Sequence, residues 1–173
     1  MSPLDTLIEL DTASFAAMLP FSCEPRDPTQ PLDEMLRETR LAMKVLAAPA
    51  DSQDEPDPIL LRLEAKLDLA LEVSLRNRHT DRPPIAPCRI GMEDIAWRQS
   101  QAMPVGMAVL LIVYPNTDSA LRLVLPGKVT QCRPSGSNAF NLVANIHDMM
   151  GDITQPMWEK WVFKRHRRAI LDR

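Results

Sequence analysis

The side chains best equipped for chemistry in this sequence are scattered. Its three histidines, His79, His147 and His166, are far apart in the chain. None stands in an HExxH run or a Cys–His zinc spacing, so no metal ligand set is expected. Glu93 and Asp94 are adjacent carboxylates, but they fall in a stretch that reads as a polar turn, where solvated acids are common; general acid–base work does not follow from them. There is no GxSxG, no Walker loop and no GxGxxG, and with 5 glycines among 173 residues a phosphate-cradling loop of the usual kind has little to be built from. Cys23, Cys88 and Cys132 stand alone at wide spacing, which suggests buried free thiols and not a disulfide framework or metal knuckle. The Arg165-His166-Arg167-Arg168 run is the densest charge. In a chain that is acidic overall and only 5% aromatic, nucleic-acid binding is not expected of it; a solvated helix face paired with carboxylates of the acidic half is. The expectation is a non-enzymatic protein with no catalytic residue, metal or cofactor.

The elements that must position these groups follow from hydrophobic period. The composition, 45% apolar and 25% charged, is that of a globular chain large enough for one core plus an appendage. No stretch approaches the roughly 20 uninterrupted apolar residues of a membrane span, and the acidic start MSPLDTLIELD lacks the basic region of a secretory signal. A cytoplasmic location is expected. The net charge of -3 hides an asymmetry: residues 1–75 carry 6 basic and 15 acidic side chains, residues 76–173 carry 14 and 8. Such halves can attract within a chain, between chains, or toward another partner.

Residues 1–31, which collect prolines at 20, 25, 28 and 31, read as a docked arm. Residues 32–82 read as helical. In a first helix, about 32–48, Leu32, Met35, Leu36, Met43 and Leu46 share a face. PADSQDEPDP then reads as a solvated acidic linker. A second helix, about 58–78, carries two stripes: Leu60, Leu63, Leu67, Leu71 and Leu75, and beside them Leu61, Ala65, Leu69 and Val73. One stripe can cover the chain's own core; the other needs the first helix or another chain, with a single wide core-facing helix as the alternative. Beyond Arg82 the period becomes two, with strands expected in PCRI, IAWRQ, MAVLLIVYP, SALRLVLP, KVTQCR and FNLVANI, separated by turns that include PG. That pattern fits a small antiparallel barrel or sandwich. A C-terminal helix, with Thr154 or Gln155 as its cap and Pro156 in its first turn, closes the reading.

Four segments together resemble a PilZ domain, and more narrowly its tetrameric branch. They are Arg62–Val73 (RLEAKLDLALEV), Ile90–Trp97 (IGMEDIAW) followed by Val105 and Gly106, Leu123–Val129 (LVLPGKV) and Glu159–Ile170 (EKWVFKRHRRAI), in the family's order over about two-thirds of the chain. The resemblance implies an α+β fold: a small antiparallel β-barrel with a C-terminal helix over residues 83–173, preceded by two helices forming an oligomerising coiled coil. It also implies a signalling role, in motility or surface attachment, through a homotetramer and an unidentified protein partner. The family's cyclic di-GMP site combines an RxxxR loop with a DxSxxG hairpin. Here the hairpin positions are Arg89, Gly91 and Asp94, so acceptor, hydroxyl and glycine are all replaced. An arginine offers only donors, and Asp94 adds charge facing a phosphodiester. An RxxxR does occur at Arg78 and Arg82, but only six residues lie between Arg82 and Arg89, where the family places its loop a couple of dozen residues before the hairpin. Cyclic di-GMP binding is therefore not expected, an altered site using Arg78, Arg82 and Arg89 being the alternative. The assembly residues expected are Leu60, Leu63, Leu67 and Leu71, packed on Leu32, Met35 and Met43 of the first helix.

Overall fold

The alternating segments form strands because each has one face that must be covered. In the computed structural model, which describes residues 2–47, 57–136 and 138–172, these are β1 (Ser14–Pro25), β2 (Ile85–Gly91), β3 (Asp94–Gln99), β4 (Ala108–Val113), β5 (Leu123–Pro134) and β6 (Phe140–Asn145). Helices α1 (Leu32–Leu46) and α2 (Pro58–Arg78) lie between β1 and β2 in sequence, and α3 (His147–Leu171) follows β6. The strands close an antiparallel barrel in the order β1-β2-β3-β6-β5-β4. The expected α+β fold, an antiparallel barrel with N-terminal helices and a C-terminal helix, is what forms, except that the barrel's first strand comes ahead of α1 and α2 and is not confined to residues 83–173. Along β4 the buried positions are every second residue, Val109, Leu111 and Val113, and Cys88, Ile90, Ile95 and Trp97 face the same interior from β2 and β3.

Two expectations fail at prolines. Residues 14–25, expected within a docked arm, are a barrel strand. β1 pairs with β2 from Ser14 to Pro20 and with β4 from Phe21 to Pro25. Pro20 sits where the partner changes, so its missing N–H leaves no ladder bond broken, while its carbonyl accepts from the Tyr114 N–H at 3.0 Å. Likewise Pro126-Gly127, expected as a turn, lies inside the continuous β5, which pairs with β4 up to Lys128 and with β6 from there on. Gly127 is required by closeness: a Cβ there would stand 2.9 Å from the Asn145 carbonyl oxygen. A small closed barrel needs sharply coiled strands, and these two, each 12 residues long, supply them.

α1 packs on β5 and α3 through Leu36, Thr39, Ala42 and Met43. The buried Thr39 hydroxyl accepts the Val124 N–H at 2.9 Å and donates to the Val124 carbonyl, pinning helix to strand. Met43, expected on a partner-facing seam, is 1% exposed and belongs to the barrel core; Leu32 and Met35, half-buried, lie toward the same side. The apolar face shared by these residues therefore covers the chain's own barrel. α3 breaks at Gly151, where φ is +67°, so neither Thr154 nor Gln155 caps it. Beyond the break Trp158 and Val162 plug the barrel. The acidic linker lies, apart from Asp57 and Pro58, outside the described residues, as does the expected end of the first helix at 48.

Candidate functional site

The turn between β2 and β3 is built from Gly91, Met92, Glu93 and Asp94. Gly91 is there for packing. A Cβ on it would stand 2.9 Å from Leu10 Cδ1 and 3.0 Å from the Asp94 carbonyl oxygen, and its own carbonyl accepts the indole N–H of buried Trp158 at 3.1 Å. Arg89 points outward from β2, where Nη2 donates to Glu9 Oε1 at 2.8 Å. The arginine side chain is only 12% exposed and the glutamate 81%, so the residues before β1 lie over it. Asp94 is partly buried, which pushes its carboxyl up from the ordinary value. The Asn145 amide, donating to Oδ1 at 3.2 Å, opposes that shift, and the charges of Glu93, Asp11 and Asp148 add to it. A phosphodiester approaching this corner meets four carboxylates, and the arginine within reach already has a carboxylate partner.

Arg78 and Arg82 do not join this corner. Arg82 lies ahead of β2 and Arg89 near its far end, the stretch from Ile85 to Arg89 alone spanning about 13 Å. The Arg82 guanidinium donates to the Asn116 carbonyl at 3.0 Å and lies 5.0 Å from the Tyr114 ring centre. Arg78 is exposed on the last turn of α2.

α2 starts cleanly, Asp57 capping the Ile59 N–H at 2.9 Å ahead of Pro58. It then runs 21 residues without burying one of them. Leu60, Leu63, Leu67 and Leu71 are exposed, Leu67 to 60%, and so are Leu61, Leu69 and Val73 of the second stripe. Among the described residues only its C-terminal end is held. Glu72 accepts from the Ser119 hydroxyl and the Ala120 N–H, each at 2.9 Å, and pairs with Arg76 at 2.8 Å. Partial burial works against ionisation, but these donors hold its carboxyl below the ordinary value. Just beyond, Glu38 of α1 pairs with Arg122 at 2.8 Å. Its carboxyl is held low by that arginine in spite of burial. His79 Nε2 lies 3.0 Å from Glu38, yet burial and the Arg122 charge hold the imidazole below its ordinary value. Between α1 and this end of α2 runs an open groove of about 540 Å³, lined on its apolar side by Leu41, Val45, Leu71 and Leu75.

Sequence reasoning missed the anchoring of α2 through Glu72 and the covering of Arg89 by Glu9. No local pattern marks either, since the partners are 47 and 80 residues apart. The basic run divides: Arg167 and Arg168 are solvated, as expected, while Arg165 and His166 turn toward the barrel. Arg165 lies 5.3 Å from the Phe15 ring centre and 5.9 Å from that of Trp161, and the His166 ring stands 2.6 Å from the Ser14 carbonyl. Among the described residues Arg167 and Arg168 make no ion pair with the acidic half. Cys88 and Cys23 are free, as expected, and burial pushes both thiols up to about 12. Among the described residues no group of three or more His, Cys, Asp and Glu could hold a metal ion, and no helix is long and apolar enough to cross a membrane.

The family model for the atypical PilZ domain, cyclic di-GMP receptor, matches residues 41–173. The chain also superposes on a crystal structure from Xanthomonas campestris, described as a new tetrameric PilZ domain self-assembled via an unusual helical bundle. The TM-score is 0.72 at 23% identity, over 98% of this chain and 96% of that one. No curated protein matches.

Proposed function

This chain belongs to the atypical PilZ domain family, and we propose that within it the protein is a non-enzymatic cytoplasmic adaptor, assembled as a homotetramer through α2 and working through protein contacts without cyclic di-GMP. The observation that carries this reading is α2 itself, 21 residues with apolar side chains on two stripes and none buried. Fully burying a Leu or Val is worth about 1.5–3 kcal/mol, so a second copy of the same helix is the partner that satisfies most of them at once. The Xanthomonas campestris protein, described as tetrameric through a helical bundle, supports the same arrangement. Regulation of motility or surface attachment is the setting we assign. The ligand-free half rests on the acidic β2–β3 corner and the occupied Arg89. Sedimentation velocity with and without cyclic di-GMP tests both halves. The expected result is one species of four times the 19.5 kDa chain mass, unmoved by nucleotide. A monomer removes the assembly, and a nucleotide-dependent shift removes the ligand-free reading.

A second reading, a cyclic di-GMP receptor with an altered site, has one observation in its favour. Arg89 Nε is buried without a hydrogen-bond partner, beside a groove of about 530 Å³ that Glu9 and His166 also line. It predicts measurable binding by calorimetry that disappears when Arg78, Arg82 and Arg89 are replaced together.

A further inference from the structure

α3 is asymmetric around its axis. Its inner face, Trp158 and Val162, is fully buried in the barrel. The i, i+3, i+4 spacing puts Lys160, Phe163, Lys164, Arg167, Arg168 and Leu171 on one outer stripe. All six are exposed, Phe163 to 48% and Leu171 to 80%. Among the described residues none of the four cations makes an ion pair or a side-chain hydrogen bond. Arg165, one step off the stripe, is instead held against Phe15 and Trp161. Of the five Lys and Arg side chains between 160 and 168, four thus lie on the outer face.

The shape of this face narrows what it can meet. The shallow concavity along it, about 490 Å³, is lined by α3 alone and by Asp172 just past its end. Among the described residues no second element lines it as a wall, so an extended peptide would find no groove. A wall-less ridge of long cationic side chains around two separated apolar ones fits a flat surface that is negatively charged outside and apolar beneath. We propose that the outer stripe of α3 is a peripheral binding face for anionic lipid headgroups, with Phe163 and Leu171 entering the interface and Lys160, Lys164, Arg167 and Arg168 reaching the phosphates. The acidic first half of the chain would face away, since the same surface repels it. The inference does not depend on how the protein assembles, although several stripes on one assembly would bind with avidity.

Flotation of the full chain with vesicles of phosphatidylcholine, with and without phosphatidylglycerol, is the test. Binding is expected only to the anionic vesicles, falling as salt is raised. With each cation worth about fivefold in partitioning, Lys164→Gln, Arg167→Gln and Arg168→Gln together should weaken binding about a hundredfold. Phe163→Ser with Leu171→Ser, two exposed positions whose change leaves the barrel core intact, should reduce the binding that remains at high salt. Absence of anionic-vesicle binding overturns the proposal, as does equal binding to neutral vesicles. So does a salt-sensitive attachment that ignores Phe163 and Leu171 and is matched by duplex DNA or polyglutamate, which would make the stripe a general polyanion or acidic-protein contact.

Discussion

α1 and α2 are adjacent in sequence and both rich in leucine and methionine or valine, yet they end in opposite environments. α1 puts Leu36, Ala42 and Met43 into the barrel and fastens itself through Thr39, while α2 is held at one end by Glu72 and buries nothing. The difference lies in how apolar residues are distributed around the axis. α1 gathers most of them on the stripe of Leu36, Ala42 and Met43, which one surface covers, and leaves only Leu41 and Val45 exposed on its other side. α2 spreads them around more than half its circumference, and a single barrel face cannot cover that. A helix of the second kind either remains exposed or finds another copy.

Substitutions on the two helices should therefore separate folding from assembly. Leu67→Glu has the largest expected effect, about 3–5 kcal/mol against association if its carboxylate is buried unpaired in a seam. Light scattering should show monomers whose melting temperature stays near that of any other dissociated variant; an intact oligomer would place the seam elsewhere. Met43→Ala, in contrast, should lower the chain's own stability by about 2–5 kcal/mol through the cavity it leaves. Denaturant unfolding measures that, and a loss of assembly at unchanged chain stability would contradict the packing of α1. Thr39→Val should follow at about 1–3 kcal/mol, because the Val124 N–H and carbonyl lose their buried partner; an unchanged unfolding midpoint would show that the helix is fastened otherwise.

The smallest effect is a dependence on pH with opposite signs at two places. At the α2 anchor, Glu38 and Glu72 are held below their ordinary values. Their stabilisation is complete above the unfolded carboxylate range and is lost as pH falls through the folded values. His79 is also held low, so the released chain binds its proton more readily, and stability at this end begins to fall as pH drops below 6.5, its ordinary value. Asp94 is raised; its contribution is present at low pH and lost as pH rises through its folded value. Acidification should then increase amide exchange around Glu72–His79, once intrinsic rates are corrected for, while leaving the β2–β3 turn protected. Uniform loosening of both regions would mean that these groups do not govern them.

Much of this was legible in the sequence. Ile90, Ile95 and Trp97 were readable as interior residues from the alternation around the turn, and β2, β3, β4 and β6 from their period. α2 was legible from its leucines and its lack of internal glycine or proline. β1 was not, because Pro20 and Pro25 break the strand pattern, and only the change of partner at Pro20 and the end of the strand at Pro25 make them harmless. Pro126-Gly127 misled because the dipeptide reads as a turn, whereas both residues pair with β4 inside a continuous strand. At the candidate site the three altered hairpin positions were visible by comparison with a family pattern, but the roles they have acquired were not. Gly91 packs against Leu10 and takes the Trp158 indole N–H on its carbonyl, and Arg89 is covered by Glu9, contacts that span 67 to 81 residues.

The sequence by itself determined the periods, and with them the elements: alternation makes a strand and a two-striped run of leucines makes a helix, since both depend only on near neighbours. Which face of each element met which partner was decided by closure of the barrel. Closure sent Met43 inward, left α2 bare, laid the N-terminal residues over Arg89 and turned four cations of α3 outward. Those outcomes depend on residues distant in the chain being brought within a few ångströms, and no short-range pattern contains that information.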